Sequence, residues 1–360
     1  MFLRQLRLLN FKNHSLAEYQ FSKPLNCFIG RNGAGKTNLL DAIHYLGLTK
    51  SFLNHIDQQL ICFGTGFFRL EARITDAPNT HQLVIKVQQP RRKEFTVDDL
   101  TYKKLSDHIG KFPVVAISPD DSALIQGPGE ERRRFLDNTL SQTNHTYLEQ
   151  LMMYHKVLEQ RNAYLKQVAL SGVPDEILLE QYDDQLAASG EPVFLSRSAA
   201  VAILNQLFHA YYQLLAPAGE SVDFTYSSDL HQGDLRMLLR GQRKKDLALE
   251  RTATGIHRDD LEFSIGRERI RKFGSQGQQK SFILALKLAQ CRYIAEQTGR
   301  APFLMIDDLF DKLDQHRSGA LLDILTSGQF PQVFITDTSA PHIHEALKGK
   351  EDLYEIFQLN

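Results

Sequence analysis

The chain has 360 residues, 42% of them hydrophobic and 24% charged, with a formal net charge of −1. That length suits two packed lobes or one large α/β unit. The charge balance is not that of a generally basic nucleic-acid binder, so any DNA contact has to come from local clusters. Cys27, Cys62 and Cys291 are far apart, with no CxxC pair and no zinc-type His/Cys spacing. They argue against a disulfide framework and fit a reducing cytoplasm. No apolar run approaches the roughly 20 residues of a membrane span. The start, MFLRQLRLLNFKNH, carries charge throughout and reads as a strand rather than a signal peptide. A cytoplasmic location without a membrane partner is expected.

After this opening strand, the apolar run Leu25–Ile29 leads into Gly30-Arg31-Asn32-Gly33-Ala34-Gly35-Lys36-Thr37, and Leu39, Leu40, Ile43 and Leu46 then fall at helical spacing. Phe68, Leu70, Ala72 and Ile74 alternate with Arg69, Glu71 and Arg73, as on a half-buried strand. Leu83, Ile85 and Val87 repeat the pattern, and Phe95 and Val97 begin another run. From about Glu130 to Gln213 the apolar residues step by three and four, interrupted at Ser171-Gly172-Val173-Pro174 by a helix–helix turn. The last third returns to short buried strands at Phe303–Ile306 and Val333–Ile335. The expected class is α/β: a nucleotide-binding lobe over 1–120 and 290–360, β-rich at its N-terminus, with a mainly helical lobe inserted over 121–289.

The segment 30–37 matches G-x-x-x-x-G-K-[ST] between a strand and a helix, the context a P-loop requires. Glycines let the backbone N–H groups wrap phosphates, and the helix start adds its dipole. Lys36 is expected to neutralise the β- and γ-phosphates of ATP and Thr37 to ligate Mg²⁺. The candidate nucleotide contacts run from Gly30, Arg31, Asn32, Gly33, Ala34 and Gly35 through Lys36 and Thr37 to Asn38. Far downstream, Phe303-Leu304-Met305-Ile306-Asp307-Asp308 is an apolar strand ending in two acids, the form of a Walker B segment. Asp307 is the expected Mg²⁺ partner, and Asp308 stands where a general base would orient water. A plain helix cap is the bland reading of these acids.

Gly274-Ser275-Gln276-Gly277-Gln278-Gln279-Lys280 opens a helix ahead of the Walker B strand. It is similar to the ABC signature loop, with Ser275, Gly277 and Gln278 matching and Gln276 replacing a glycine. The order of parts, ending with the D-loop-like Phe310-Asp311-Lys312-Leu313-Asp314, is that of ABC ATPases. Val333-Phe334-Ile335-Thr336-Asp337-Thr338 lies where such proteins place a switch histidine, with Thr336 or Thr338 as the substitute. That resemblance implies an ATP-dependent homodimer in which Ser275, Gln276, Gly277 and Gln278 touch the nucleotide held by the other copy's P-loop.

Three further blocks narrow the class. These are Leu6 to Asn13, the stretch from Ser118-Pro119-Asp120-Asp121 through Glu130-Glu131-Arg132-Arg133-Arg134-Phe135-Leu136-Asp137, and Gly255-Ile256-His257-Arg258-Asp259-Asp260-Leu261. Together they resemble the RecF family over nearly the whole chain. The resemblance implies an ATP- and Mg²⁺-dependent DNA-binding protein of recombinational gap repair. It would act at single-strand/double-strand junctions and help RecA onto gapped DNA, with RecR and RecO as partners. Hydrolysis would be slow and regulatory, since Asp308 is one methylene shorter than the glutamate of fast ABC ATPases.

Arg132–Arg134 read either as phosphate ligands or as a solvated helix face. His257 and Arg258 read as partners of Asp259 and Asp260. Candidate DNA contacts are Arg91-Arg92-Lys93, Arg243-Lys244-Lys245 and the stretch from Arg267 to Lys272, against the plain alternative of surface charge. Rival readings are an ABC transporter's motor subunit, an SMC-type head, which needs a far longer coiled coil, and a monomeric P-loop kinase.

Overall fold

The computed structural model describes residues 1–54, 56–90, 92–216, 219–308 and 314–359. In chain order the elements are β1 (Phe2–Phe11), β2 (His14–Gln20), β3 (Leu25–Ile29), α1 (Lys36–Leu48), β4 (Phe67–Asp76), β5 (Asn79–Gln88), β6 (Arg92–Val97), β7 (Leu100–Thr101) and β8 (Val114–Ile117). Helices α2 (Ala123–Gln126), α3 (Gly129–Thr143), α4 (His145–Ser171) and α5 (Glu176–Leu215) follow. Then come β9 (Val222–Ser227), α6 (Leu235–Leu249), β10 (Asp260–Ile265), β11 (Glu268–Arg269), α7 (Ile270–Phe273) and α8 (Gln276–Thr298). The chain closes with β12 (Phe303–Ile306), α9 (Gln315–Thr326), β13 (Val333–Asp337), α10 (Ala340–Ala346) and β14 (Tyr354–Gln358).

Two compact units form. One comprises Met1–Asp121, Ala210–Gly219 and Gln276–Asn360, the other Ser122–His209 and Glu220–Ser275. By sequence, residues 276–289 and 210–219 are expected in the helical lobe. Both segments instead join the first unit, where α8 packs on β8.

In the first unit, a six-stranded antiparallel sheet in the order β2-β1-β4-β5-β6-β7 faces a five-stranded parallel sheet in the order β14-β3-β13-β12-β8. The alternation read along 68–74 turns Phe68, Leu70, Ala72 and Ile74 into one core with Leu3, Leu6, Leu8, Phe28 and Phe334. Helix α1 belongs to that core and is buried nearly all round. Its close approach to β8 requires Gly47, where a Cβ would sit 2.6 Å from the Phe112 carbonyl oxygen.

His108 is fully buried in this unit, its ring against Phe95, with Nε2 2.7 Å from the Leu46 carbonyl. Burial pushes its pKa down to about 4 from an ordinary 6.5. Between those values the unfolded chain binds the extra proton, so stability rises with pH there and is lost as pH falls through the window. Over pH 6.5 to 5 this one ring is expected to contribute a loss of about 2 kcal/mol. Unfolding curves of His108→Gln should be flatter across that window, and an unchanged pH slope would rule the ring out as its source.

The second unit holds α2–α4, most of α5, α6, α7 and a three-stranded antiparallel sheet in the order β11-β10-β9. The turn foreseen after Ser171 is present, with Gly172 capping α4 at φ 82 in the left-handed region that glycine occupies without strain. Two fully buried arginines organise its interior. Arg161 of α4 joins Asp183 of α5 and Asp246 of α6 at 3.0 and 2.8 Å. Arg197 of α5 reaches Asp137 and Asp259 at 2.8 and 3.0 Å.

Candidate active site

The P-loop leaves the carboxyl end of β3, which pairs in parallel with β13 and β14. Ligands of open α/β sheets bind in the crevice beyond these strand ends. Gly33 and Gly35 take φ 88 and 96, a conformation in which an L side chain is strained. A Cβ at Gly35 would also meet Asn13 and His14 at 2.6 Å, and one at Gly30 would meet the Leu359 carbonyl oxygen at 2.7 Å. Within this loop the buried Lys36 ammonium donates to the carbonyls of Gly30 at 2.7 Å and Arg31 at 3.3 Å. Arg31 and Asn32 are exposed.

Thr37 and Asp307 are 270 residues apart, yet the Thr37 hydroxyl lies 2.9 and 3.1 Å from the two carboxylate oxygens of Asp307. The strand order brings them together, because β12 neighbours β13, which neighbours β3. Asp307 is buried. Burial pushes its carboxyl pKa up, opposed by hydrogen bonds from Thr336 and Thr37. Asp308 follows with its backbone left-handed at φ 47. Its Oδ1 is buried and has no hydrogen-bond partner among the described residues.

The glycine cradle, the lysine inside it and the hydroxyl–carboxylate pair suit a Mg²⁺-bound polyphosphate, since Mg²⁺ takes hard oxygen donors. Asp308 Oδ1, without a partner among the described residues, is an acceptor of the kind a water-orienting base needs.

Several contributors escaped the sequence reading. The turn between β1 and β2 lies on the P-loop: Asn13 donates to the Gly33 carbonyl at 3.4 Å and accepts from Asn38 at 2.7 Å, and His14 Nε2 is 3.1 Å from the Gly35 carbonyl. Beneath α1, Lys12 pairs with the fully buried Asp41 at 2.6 Å. Lys12 and Asn13 end the Leu6–Asn13 block that carries the family resemblance, and nothing in that block names the loop it touches. Asp121 pairs with Lys287 of α8 at 3.0 Å and accepts from the Ser118 backbone at 2.7 Å, so that block ties β8 to α8. Thr336 is fully buried and bonded to both Walker B residues, whereas Thr338 is exposed.

Of the signature residues, Ser275 and Gln276 are exposed, and Gly277, Gln278 and Lys280 are half-buried. Gly277 leaves room for Arg317, whose guanidinium would lie 3.0 Å from an added Cβ and donates to Ser281 at 2.7 Å. Phe310 to Leu313 of the D-loop-like segment lie outside the described residues, and Asp314 caps α9 by accepting from the Arg317 N–H.

The basic clusters differ in how far their side chains are engaged within the fold. Arg91 lies outside the described residues. Arg92 is exposed and pairs with Glu94 at 2.5 Å. Lys93 is drawn into the fold by Asp57 at 3.0 Å, the Thr49 carbonyl and the Tyr45 ring, so its ammonium is paired within the fold. Arg243 is spent on Asp183 and Glu176, each at 2.8 Å, and only Lys244 and Lys245 of that run are exposed. Arg132 is half-buried and turned toward Asp260 rather than to solvent. It clamps Asp260 through two bonds of 2.7 and 2.9 Å, and Arg133 donates to the Asp259 carbonyl. His257 meets Tyr154 and the Thr252 carbonyl rather than Asp259 or Asp260, and burial pushes it down to about 4. Arg267, Arg269, Arg271 and Lys272 remain exposed, beside the exposed Phe273.

Known proteins share the sequence and the fold of this chain. The family description "RecF/RecN/SMC N terminal domain" matches residues 2–360. The DNA replication and repair protein RecF of Flavobacterium johnsoniae is 42% identical over 359 residues, covering 100% of both chains. The protein of the same name from Cytophaga hutchinsonii is 42% identical over 338 residues, covering 94% of this chain and 89% of its own. Among solved structures, the recombination mediator protein RecF-ATPrS in the RecFOR pathway superposes with a TM-score of 0.89 at 26% identity, covering 100% of this chain and 96% of the other. An Smc head bound to the C-winged helix domain of ScpA shares the fold, with a TM-score of 0.55 at 15% identity and coverage of 94% and 90%. The chain therefore belongs to the RecF family and has its ABC-type ATPase head fold.

Proposed function

We propose that this protein is a recombination mediator that binds and slowly hydrolyses ATP with Mg²⁺, closing as a homodimer on gapped DNA and reopening on hydrolysis. The observation that carries the reading is the meeting of Thr37 and Asp307 beside the P-loop lysine, in a chain 42% identical to a protein named for DNA replication and repair. Lys36 would release its loop carbonyls to bind the β- and γ-phosphates. Thr37 and Asp307 would hold Mg²⁺, which when bound neutralises phosphate charge. Asp308 would orient the attacking water and accept its proton.

Ser275, Gln276, Gly277 and Gln278 are assigned to the nucleotide of the second copy, and the exposure of Ser275 and Gln276 supports that role. For DNA, Arg267, Arg271 and Lys272 with Lys244 and Lys245 are the favoured phosphate contacts, since Lys93 and Arg243 are committed to intramolecular pairs and Arg92 and Arg269 each face a carboxylate. RecR, RecO and RecA are the proposed partners. The proposed compartment is the cytoplasm, and no described helix is long and apolar enough to cross a membrane.

Light scattering with and without Mg-ATP tests this reading. The wild-type mass should double with ATP, and Ser275→Arg should bind nucleotide yet stay monomeric. Nucleotide binding without any change of wild-type mass, even at high protein concentration, would defeat the dimer clamp and favour a monomeric kinase.

A further inference from the structure

We infer that Thr336 is a positioning residue for both acids of the site. Its hydroxyl donates to Asp307 Oδ1 at 2.7 Å and accepts from the Asp308 backbone N–H at 3.0 Å. One donor and one acceptor are thereby used in opposite directions, and the side chain is fully buried at the carboxyl end of β13. The bond to Asp307 sets the rotation of the carboxylate that also faces Thr37. The bond to Asp308 fixes the backbone N–H of a residue that is left-handed at φ 47, and so the direction in which its carboxylate leaves the chain. Both contacts lie within the first unit and involve its own acids. The hydroxyl is therefore committed to holding Asp307 and Asp308, not to sensing a phosphate as a switch residue would. Valine at this position would keep the shape and lose both bonds, whereas serine would keep the hydroxyl.

The inference rests on the proposed roles of Asp307 and Asp308, so its test needs a readout besides turnover. Thr336→Val and Thr336→Ser are compared with wild type for ATP turnover, for affinity toward a fluorescent ATP analogue, and for Mn²⁺ affinity by electron paramagnetic resonance in the nucleotide-bound protein. In Thr336→Val, turnover and Mn²⁺ affinity should each fall about 10- to 100-fold, the usual effect of removing a group that orients a metal ligand. Analogue affinity should stay within a few-fold, and Thr336→Ser should recover most of both losses.

Unchanged turnover and Mn²⁺ affinity in Thr336→Val would overturn the inference. So would a serine variant as impaired as valine, since methyl packing rather than the hydroxyl would then be responsible. A wild-type protein that binds Mn-ATP without splitting it would defeat the hydrolysis reading alone, leaving the Mn²⁺ comparison to judge Thr336. A wild type that binds no nucleotide would remove both.

Discussion

Asp308→Asn is expected to lower ATP turnover about 10²- to 10⁴-fold, the range that a positioned general base supplies. Nucleotide affinity and ATP-driven dimerisation should be retained. Asparagine has nearly the same shape and, like aspartate, tolerates the left-handed backbone found here at φ 47, so the substitution removes charge without moving the chain. The target atom is Oδ1, buried and without a partner among the described residues, while Asp307 spends its oxygens on Thr37 and Thr336. Single-turnover assays at saturating Mg-ATP separate this from a binding defect, and turnover within about threefold of wild type would place the base elsewhere.

The backbone also bears on why aspartate stands at 308. The shorter reach of aspartate is one reason, and it implies that glutamate would be faster. A left-handed residue gives another reason, since glutamate lacks the short side chain that eases this conformation. Asp308→Glu is accordingly expected to be no faster than wild type.

The second large effect is structural. Arg161→Met should destabilise the helical unit by about 3–5 kcal/mol, the usual cost of removing one partner from a buried ion pair. Arg161, Asp183 and Asp246 are all fully buried, and the guanidinium also donates to Thr252 at 2.8 Å. Without it, Asp183 keeps Arg243, but Asp246 loses its only cation among the described residues. Burial already pushes the Asp246 carboxyl up, with Arg161 as the largest opposing influence. Arg161→Lys should recover only part of the loss, because a single ammonium cannot reproduce the forked contacts to Asp183, Asp246 and Thr252. Urea unfolding followed by helical circular dichroism measures this. A midpoint close to wild type would mean that the cluster contributes little to the fold.

Those two predictions rest on different kinds of legibility. The P-loop could be read directly because its chemistry is contiguous: glycines, a lysine and a threonine act through one short stretch of backbone between a strand and a helix. The apolar strand Phe303–Ile306 and the helix opening after Ser275 were legible for the same reason, as were the alternating strands around Phe68–Ile74 and Leu83–Val87. Charge clusters behaved differently. Arg91-Arg92-Lys93 and Arg243-Lys244-Lys245 looked alike as text, yet Lys93 is drawn inward by Asp57 and Tyr45 and Arg243 by Asp183. A basic run does not state whether its carboxylate partners will fold against it.

The sequence by itself determined the glycine-rich loop between its strand and helix, the α/β class and the family, because each is written in local patterns whose spacing is set by backbone geometry. Only the tertiary structure decided which charged side chains are free, that Asn13 and His14 brace the P-loop, and that Thr336 joins the two acids. Those outcomes depend on strand order and on burial. Burial makes an unpaired charge costly enough that a partner distant in the chain is recruited, and no local pattern encodes which partner that will be.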